Sequence, residues 1–88
     1  MLFSETEIQE RLGEIIHEVV NRIPADQVTP DKDFVADLGV DSLSMIEISL
    51  VAQERFSVDI PDADLIGFKT VQDVIMYINS TQVPQQQM

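Results

Sequence analysis

Apolar residues recur at intervals of three and four in three separate segments of this 88-residue chain. Such spacing places them on one face of an α-helix, and no stretch has the apolar–polar alternation of a half-buried strand. Ser4 and Glu7 have the pattern of a capping box before the first segment, and Pro24 is expected to end that helix. The apolar stripe of this helix is Ile8, Leu12, Ile15, Ile16, Val19, Val20 and Ile23. The pattern predicts an all-α fold.

The later segments complete a small bundle. A second helix is predicted over Ser42–Phe56, and Pro61 and Gly67 delimit at most one helical turn after it. A last helix is predicted to begin after Thr70, which forms a further capping pattern with Asp73. Its core stripe is Val71, Val74, Ile75 and Ile78. The sequence therefore predicts a small antiparallel four-helix bundle with three main helices and one short helix.

The first connection, residues 24–39, is long and contains two prolines and Gly39. Structureless loops of this length are unusual in compact domains, so apolar side chains are expected to anchor it to the core. The candidate anchors are Val28, Phe34, Val35 and Leu38. At the other end, residues 80–88 are polar and lack periodicity, which predicts a flexible tail after a single domain formed by residues 1–79.

The charge of the chain limits its partners. Sixteen acidic against five basic residues give a net charge of −11, which disfavours nucleic acids and anionic membranes and favours proteins with basic patches. The absence of cysteine excludes disulfides and thiolate metal sites. No signal segment or membrane-spanning run is recognised. We therefore expect a cytoplasmic protein that acts without nucleic acid or membrane.

Projected at about 100° per residue, the second helix is apolar on two opposite sides. One side carries Met45, Ile48, Ala52 and Phe56, and the other carries Leu43, Ile46 and Leu50. The first side is expected to face the core. Glu47 and Glu54 flank the second side, and carboxylates are almost never buried unpaired. This pattern favours an exposed binding surface over the alternative that the helix is buried all round.

Ser42 lies where the second helix begins, just after Gly39, which permits a sharp turn. The N–H groups and dipole of a helix N-terminus favour a phosphate attached at this point. A commoner role for such a residue is a helix cap, which either Asp41 or Ser42 can provide. Ser44 with Glu47 offers a second capping box that would start the helix slightly later. On the residues alone the helix cap is favoured over the phosphate, and which residue caps the helix stays open.

The sequence contains no recognisable catalytic or metal-binding constellation. Residues 39–44 do not match the nucleophile elbow G-x-S-x-G. The only histidine, His17, lies beside the first core stripe and is expected to be a boundary residue rather than a base. The acidic run that begins at Asp31 fails as a calcium loop because Ala36 and Ser42 replace the required Gly and Glu. We therefore predict neither an enzyme nor a metal site.

The sequence resembles the acyl carrier proteins in three segments, DFVADLGVDSLSMIEI, FSVDIPD and TVQDVIMYI, which follow in the family's order and spacing up to about Asn79. In that family the serine of Asp-Ser-Leu, here Ser42, carries 4′-phosphopantetheine, which a phosphopantetheinyl transferase transfers from coenzyme A. The thiol of this arm holds acyl chains as thioesters, which agrees with the absence of cysteine in the chain. The resemblance implies a non-catalytic, monomeric acyl carrier of the fatty-acid-synthesis type.

The resemblance also implies where partner enzymes bind. Acyl carrier proteins use the acidic second helix and the short helix after it to bind basic patches on fatty-acid-synthesis enzymes. The matching residues here are Asp41, Leu43, Ile46, Glu47, Leu50, Glu54, Asp62 and Asp64. Ser44, Gln53 and Arg55 stand at positions that are often acidic in fatty-acid carriers. The family's acyl cavity is expected near Met45, Ile48, Ala52, Phe56 and Ile75.

Two other functions remain open on the sequence. One is a carrier for a polyketide or another acyl pathway. The other, from a different class, is an unmodified helical adaptor whose acidic face binds a basic protein. Peptidyl carriers often have Gly-Gly-His/Asp-Ser before the modified serine, and the sequence Gly39-Val40-Asp41-Ser42 fits an acyl carrier better.

Overall fold

Four α-helices form the fold in a computed structural model, which describes residues 2–82. They are α1 (Glu5–Val19), α2 (Ser42–Phe56), α3 (Asp62–Ile66) and α4 (Val71–Thr81), and a 3-10 turn at Ala25–Gln27 follows α1. Residues 2–82 contain no strand, only one isolated bridge between Asp33 and Thr70. The predicted all-α bundle of three longer helices and one short helix is therefore confirmed.

Helix α1 packs against α2, α4 and the 3-10 turn. Its predicted capping box is formed: Ser4 Oγ accepts the Glu7 N–H at 3.1 Å, and the Glu7 carboxylate accepts the Ser4 N–H at 3.0 Å. The fully buried residues of α1 are Ile8, Leu12, Ile15 and Ile16. The 3-10 turn passes so close that a Cβ atom on Gly13 would lie 2.6 Å from the Ala25 carbonyl oxygen, and only glycine fits there without a shift.

Helix α1 ends at Val19, so the prediction that it continues to Pro24 is wrong. The His17 ring donates from Nδ1 to the Ile23 carbonyl at 2.8 Å, and this bond holds the chain turned back on the end of the helix. The turn buries Ile23 although Ile23 lies outside α1. His17 itself is exposed at the edge of the stripe, as predicted.

The connection from α1 to α2 is held against the start of α4 by backbone hydrogen bonds. The Phe34 N–H donates to the Lys69 carbonyl at 3.0 Å, and the Val71 N–H donates to the Lys32 carbonyl at 2.9 Å. Three of the predicted anchors are buried: Val28, Phe34 and Leu38. The long connection is therefore an ordered part of the fold.

Val35 is exposed, so its prediction as a fourth anchor is wrong. Asp33 Oδ1 accepts the N–H groups of Val35 and Ala36 at 2.9 Å each, and this closes a tight turn on which both side chains face solvent. Val40, to which the sequence analysis gave no role, is buried near the end of the connection.

The core stripes of α2 and α4 are confirmed. In α2, Met45 is half-buried, and the buried members are Ile48, Ala52 and Phe56. In α4, Thr70 and Asp73 form the predicted capping box. The buried residues of α4 are Val71, Val74, Ile75 and Ile78.

Helix α4 extends to Thr81, so Ser80 and Thr81 are helical and not part of an unstructured tail. The Gln82 side chain accepts the Phe3 N–H and donates to the Phe3 carbonyl, each at 2.8 Å. This pair of bonds joins the end of α4 to the segment before α1. Residues 83–88 of the predicted tail lie outside the described residues.

Candidate functional site

The turn that leads into α2 is fixed by a hydrogen bond to Gly39 and by the burial of Val40. Gly39 has a φ of +65°, a backbone conformation that favours glycine. The Arg22 guanidinium donates to the Gly39 carbonyl at 2.7 Å, and a Cβ atom on Gly39 would lie only 3.1 Å from the same guanidinium. Val40 is buried directly after this turn. The start of α2 is thereby held in place relative to the end of α1.

Asp41 is the cap of α2. Its carboxylate accepts the Ser44 N–H at 2.8 Å, and the helix begins with Ser42. Of the capping alternatives that the sequence left open, Asp41 is the correct one, and the second capping box formed by Ser44 and Glu47 is wrong because Asp41 already holds the Ser44 N–H. This backbone bond lowers the pKa of Asp41, and the positive charge of Arg22 acts in the same direction. Asp41 is therefore ionised at neutral pH.

Ser42 is exposed as the first residue of α2, and its hydroxyl is left free of the capping bond. N–H groups in the first helical turn have no partner within the helix, and the helix dipole favours negative charge there. The side chain borders a groove of about 350 Å³ whose lining is mainly apolar. An accessible hydroxyl, a favourable field and adjoining space together fit a phosphate-linked group on this residue.

A much smaller cavity of about 10 Å³ lies inside the bundle near the groove. Its lining includes three residues that the resemblance suggested for an acyl cavity, namely Met45, Ile48 and Ala52. Phe56 and Ile75 are buried elsewhere in the core and do not line it. Four side chains border both the groove and the cavity: Phe34, Met45, Leu65 and Phe68. We call these four side chains the partition.

The outer side of α2 is exposed, as the sequence predicted. Leu43, Ile46 and Leu50 are 65%, 48% and 61% exposed. Glu47 and Glu54 beside them are also exposed. The alternative of a helix buried on all sides is therefore wrong.

Three more of the acidic residues predicted for partner binding are on the surface. Asp41, Asp62 and Asp64 are exposed, the first at the start of α2 and the other two on α3. Asp64 also accepts a hydrogen bond from the Tyr77 hydroxyl at 3.1 Å.

The two departures near the end of α2 have local partners. The Arg55 guanidinium forms an ion pair with Glu18 of α1 at 2.8 Å. The Gln53 amide donates to Ser49 Oγ at 3.2 Å. The first contact joins α2 to α1 and the second lies within α2, whereas the exposed apolar residues of α2 lie between carboxylates.

Several residues of the site were not predicted from the sequence, among them the groove-lining residues Phe34, Val40, Leu65 and Phe68. Val35 and Ile66 are 71% and 84% exposed and line the groove beside Ser42 from opposite elements, and Arg22 supports the turn before it. Ile66 gives no periodic signal in so short a helix. Asp33, whose side chain closes the loop turn, was the one available hint that Val35 faces outward.

Other kinds of site receive no support within residues 2–82. That range contains no group of three or more His, Cys, Asp or Glu side chains able to hold a metal ion. It also contains no helix long and apolar enough to cross a membrane.

The chain is similar to several known proteins over most of its length. The family described as "Phosphopantetheine attachment site" matches residues 10–78. The chain is 56% identical over 78 residues to the acyl carrier protein of Thermobifida fusca, and this alignment covers 89% of this chain and 98% of that protein. It is 50% identical over 78 residues to the meromycolate extension acyl carrier protein of Mycolicibacterium aurum, covering 89% and 79% of the two chains. The match to the acyl carrier protein of Rhodococcus erythropolis is 45% over 78 residues, covering 89% and 85%.

Proposed function

Because the chain belongs to the acyl carrier protein family, whose prosthetic group is 4′-phosphopantetheine, we propose that this group is attached to Ser42. The observation that carries the proposal is the position of the hydroxyl, which is exposed at the first residue of α2 while Asp41 makes the capping bond. The helix N-terminus stabilises the negative charge of a phosphate there. The bound arm supplies a thiol that holds acyl groups as thioesters, and the chain itself catalyses no step.

The groove beside Ser42 and the cavity beneath it are proposed to receive the acyl chain. The groove is apolar and adjoins the attachment point. The partition separates it from the cavity between the helices. An acyl chain gains burial from water when these side chains move aside, because apolar surface is transferred out of solvent.

The exposed side of α2, together with α3, is proposed as the docking surface for partner enzymes. We define the docking surface by Asp41, Leu43, Ile46, Glu47, Leu50, Glu54, Asp62 and Asp64. Its apolar centre can be covered by a partner, while the carboxylates around it pair with Lys or Arg on the partner. The net charge of −11 attracts such basic surfaces before contact is made.

We propose fatty acid biosynthesis as the pathway and the cytoplasm as the compartment. The partners are then a phosphopantetheinyl transferase, which takes the arm from coenzyme A, and fatty-acid-synthesis enzymes with basic patches. A second acyl pathway is favoured by a specific observation, the 50% identity to a protein named for meromycolate extension. Under either pathway Ser42 and the docking surface have the same roles.

Intact-mass spectrometry tests the attachment. The chain is incubated with coenzyme A, magnesium and a phosphopantetheinyl transferase that modifies other carriers. We expect a mass gain of one phosphopantetheine group in the wild type and in Ser44→Ala, the matched control two residues further on, and no gain in Ser42→Ala. An unmodified wild type would favour the acidic adaptor, and a gain that persists in Ser42→Ala would refute the assignment of the site.

The pathway is tested with the modified protein. It is supplied as the sole carrier to a purified fatty-acid-synthesis system whose activity with its own carrier is known. Growth of acyl chains on the protein supports the fatty-acid assignment. If the protein is modified but no chain grows, the alternative acyl pathway is favoured.

A further inference from the structure

Helix α3 is the only α-helix of the described chain in which no residue is buried. Leu65 is half-buried, whereas Ile66 is 84% exposed. Pro61 precedes the helix without a side-chain capping bond. A helix of five residues has too few internal hydrogen bonds to be stable by itself. Contacts with the rest of the chain must therefore hold it in place.

Tyr77 of α4 supplies such contacts at three points. Its hydroxyl carries one proton, which it shares between the Asp59 carbonyl and Asp64 Oδ2, each 3.1 Å away. Its ring packs edge-on against Phe68, with the ring centroids 5.4 Å apart. These partners lie before, within and after α3. Partial burial and the bond to Asp64 raise the pKa of Tyr77, so the hydroxyl remains a neutral donor at physiological pH.

The segment held by Tyr77 forms one side of the partition. Leu65 and Phe68 border both the groove beside Ser42 and the cavity beneath it. The cavity of about 10 Å³ holds at most about one water molecule, so an acyl chain enters only if the partition moves. On the other side of the partition, Phe34 is buried and its backbone is bonded to the start of α4. The α3 side is therefore the side that moves more easily.

We propose that the Tyr77 hydroxyl is a positioning group that holds α3 closed over the cavity and thereby sets how readily the cavity opens to an acyl chain. The role in acyl binding rests on the proposed function, whereas the hold on α3 is a property of the unmodified chain. The two can therefore be tested separately.

The hold on α3 is tested by amide hydrogen exchange on the unmodified protein. Tyr77→Phe keeps the ring against Phe68 and removes only the hydroxyl. The matched control is Ser80→Ala, which removes a hydroxyl of the same helix that bonds to the Tyr77 carbonyl within α4. In Tyr77→Phe we expect the amides of residues 64–68 to exchange about three- to tenfold faster, the factor for one lost hydrogen bond. Amides in the middle of α1 should keep their rates, and Ser80→Ala should leave residues 64–68 unchanged.

Asp64→Ala is the second variant. It removes one of the two acceptors, so we expect a smaller increase at the same amides. If amides throughout Tyr77→Phe exchange faster, the whole fold is destabilised, and the exchange rates of Asp64→Ala then test the hold on α3. Unchanged exchange at residues 64–68 in either folded variant, or an increase in α1 of Asp64→Ala equal to the increase at these amides, would overturn the proposed hold on α3.

The effect on cargo is tested with the thioester-loaded protein. We measure cleavage of an acetyl and an octanoyl thioester by hydroxylamine in the wild type and in Tyr77→Phe. The variant lacks a bond that stabilises the closed, empty cavity, so its octanoyl chain should lie inside the cavity more of the time. We therefore expect cleavage of the octanoyl thioester to be about two- to fivefold slower, a fraction of the hydrogen-bond factor. The acetyl group is too short to enter the cavity, and its cleavage should be unaffected. Equal effects on both chains would refute the role in acyl binding, even with a faster-exchanging α3.

Discussion

Helices α1 and α3 occupy opposite extremes of burial in the same small bundle. Four residues of α1 are completely buried, its N-terminus is closed by a reciprocal capping box, and Gly13 brings it into contact with the 3-10 turn. Helix α3 has no buried residue and no side-chain cap, and it depends on half-buried Leu65 and on Tyr77 of α4.

This difference separates the buried part of the molecule, which stabilises the fold, from the exposed part, which is proposed to bind cargo and partners. Helix α1 supplies the buried apolar area on which an 88-residue domain depends. Helix α3 and the outer side of α2 border the proposed attachment site at Ser42 and carry exposed apolar residues among carboxylates. Segments that open or bind partners are generally drawn from the less stable part of a structure, and the roles proposed for α3 agree with this rule.

The largest contrast is expected between two isoleucines. Ile16→Ala in α1 removes a fully buried side chain and should lower the free energy of unfolding by about 2–5 kcal/mol. Ile66→Ala in α3 removes an exposed side chain and should change it by less than about 0.5 kcal/mol. Urea denaturation followed by circular dichroism measures both. Similar losses would contradict the division between the two helices.

The next contrast is between two glycines. Gly13→Ala places a Cβ atom 2.6 Å from a backbone carbonyl oxygen and should destabilise the fold by about 1–3 kcal/mol. Gly67→Ala at the end of α3 meets its nearest atom at 3.5 Å, an ordinary contact, and Gly67 has a φ of −82°. Thermal unfolding of the two variants should therefore differ. A tolerated Gly13→Ala would show that the 3-10 turn does not need its close approach to α1.

Two charge reversals, one on α2 and one on α1, test the docking surface. Glu47→Lys should weaken binding to a basic partner enzyme by about two- to tenfold, because it puts a like charge opposite the partner's Lys or Arg. Glu10→Lys on the exposed side of α1 gives the same change in net charge and should have a smaller effect. Surface plasmon resonance measures both affinities, and circular dichroism checks the fold. Equal losses would mean that only the total charge matters.

The smallest effect concerns the capped start of α4. Hydrogen bonds from the Thr70 and Lys69 N–H groups lower the pKa of Asp73 below its usual value. An ordinary Asp has a pKa of about 3.9 when unfolded. The stabilisation is therefore complete above that value and is lost as the pH falls through the lower folded pKa.

Urea denaturation of the wild type and Asp73→Asn between pH 7 and pH 3 measures this dependence. The wild type should be the more stable at neutral pH, and the difference should shrink below about pH 4. A constant difference over this interval would exclude the capping carboxylate as its source.

The sequence predicted the elements whose residues follow the helical period. Side-chain spacing predicted the core stripes of α1, α2 and α4 and the two sides of α2. It also predicted the capping boxes at Ser4 and Thr70. Ser42 was also predicted as the approximate start of α2, although a slightly later start at Ser44 was left open. The role of Ser42 came from the resemblance, because local chemistry alone favoured a cap.

The remaining features depend on contacts that spacing does not encode. Val35 and Val40 are both apolar, and the hydrogen bonds of Asp33 decide which of them faces solvent. The end of α1 is set by the bond from His17 to the Ile23 carbonyl rather than by Pro24. Each of these contacts joins a side chain to a backbone group through a turn, which periodicity cannot predict.

The central claim is that the exposed first residue of α2 carries the prosthetic arm. Peptide mapping of the modified protein by tandem mass spectrometry tests it most directly, because it assigns the added phosphopantetheine group to one residue. We expect the group on Ser42 and on no other serine. A group located on Ser44 or Ser49 of the same helix, with Ser42 unmodified, would contradict it.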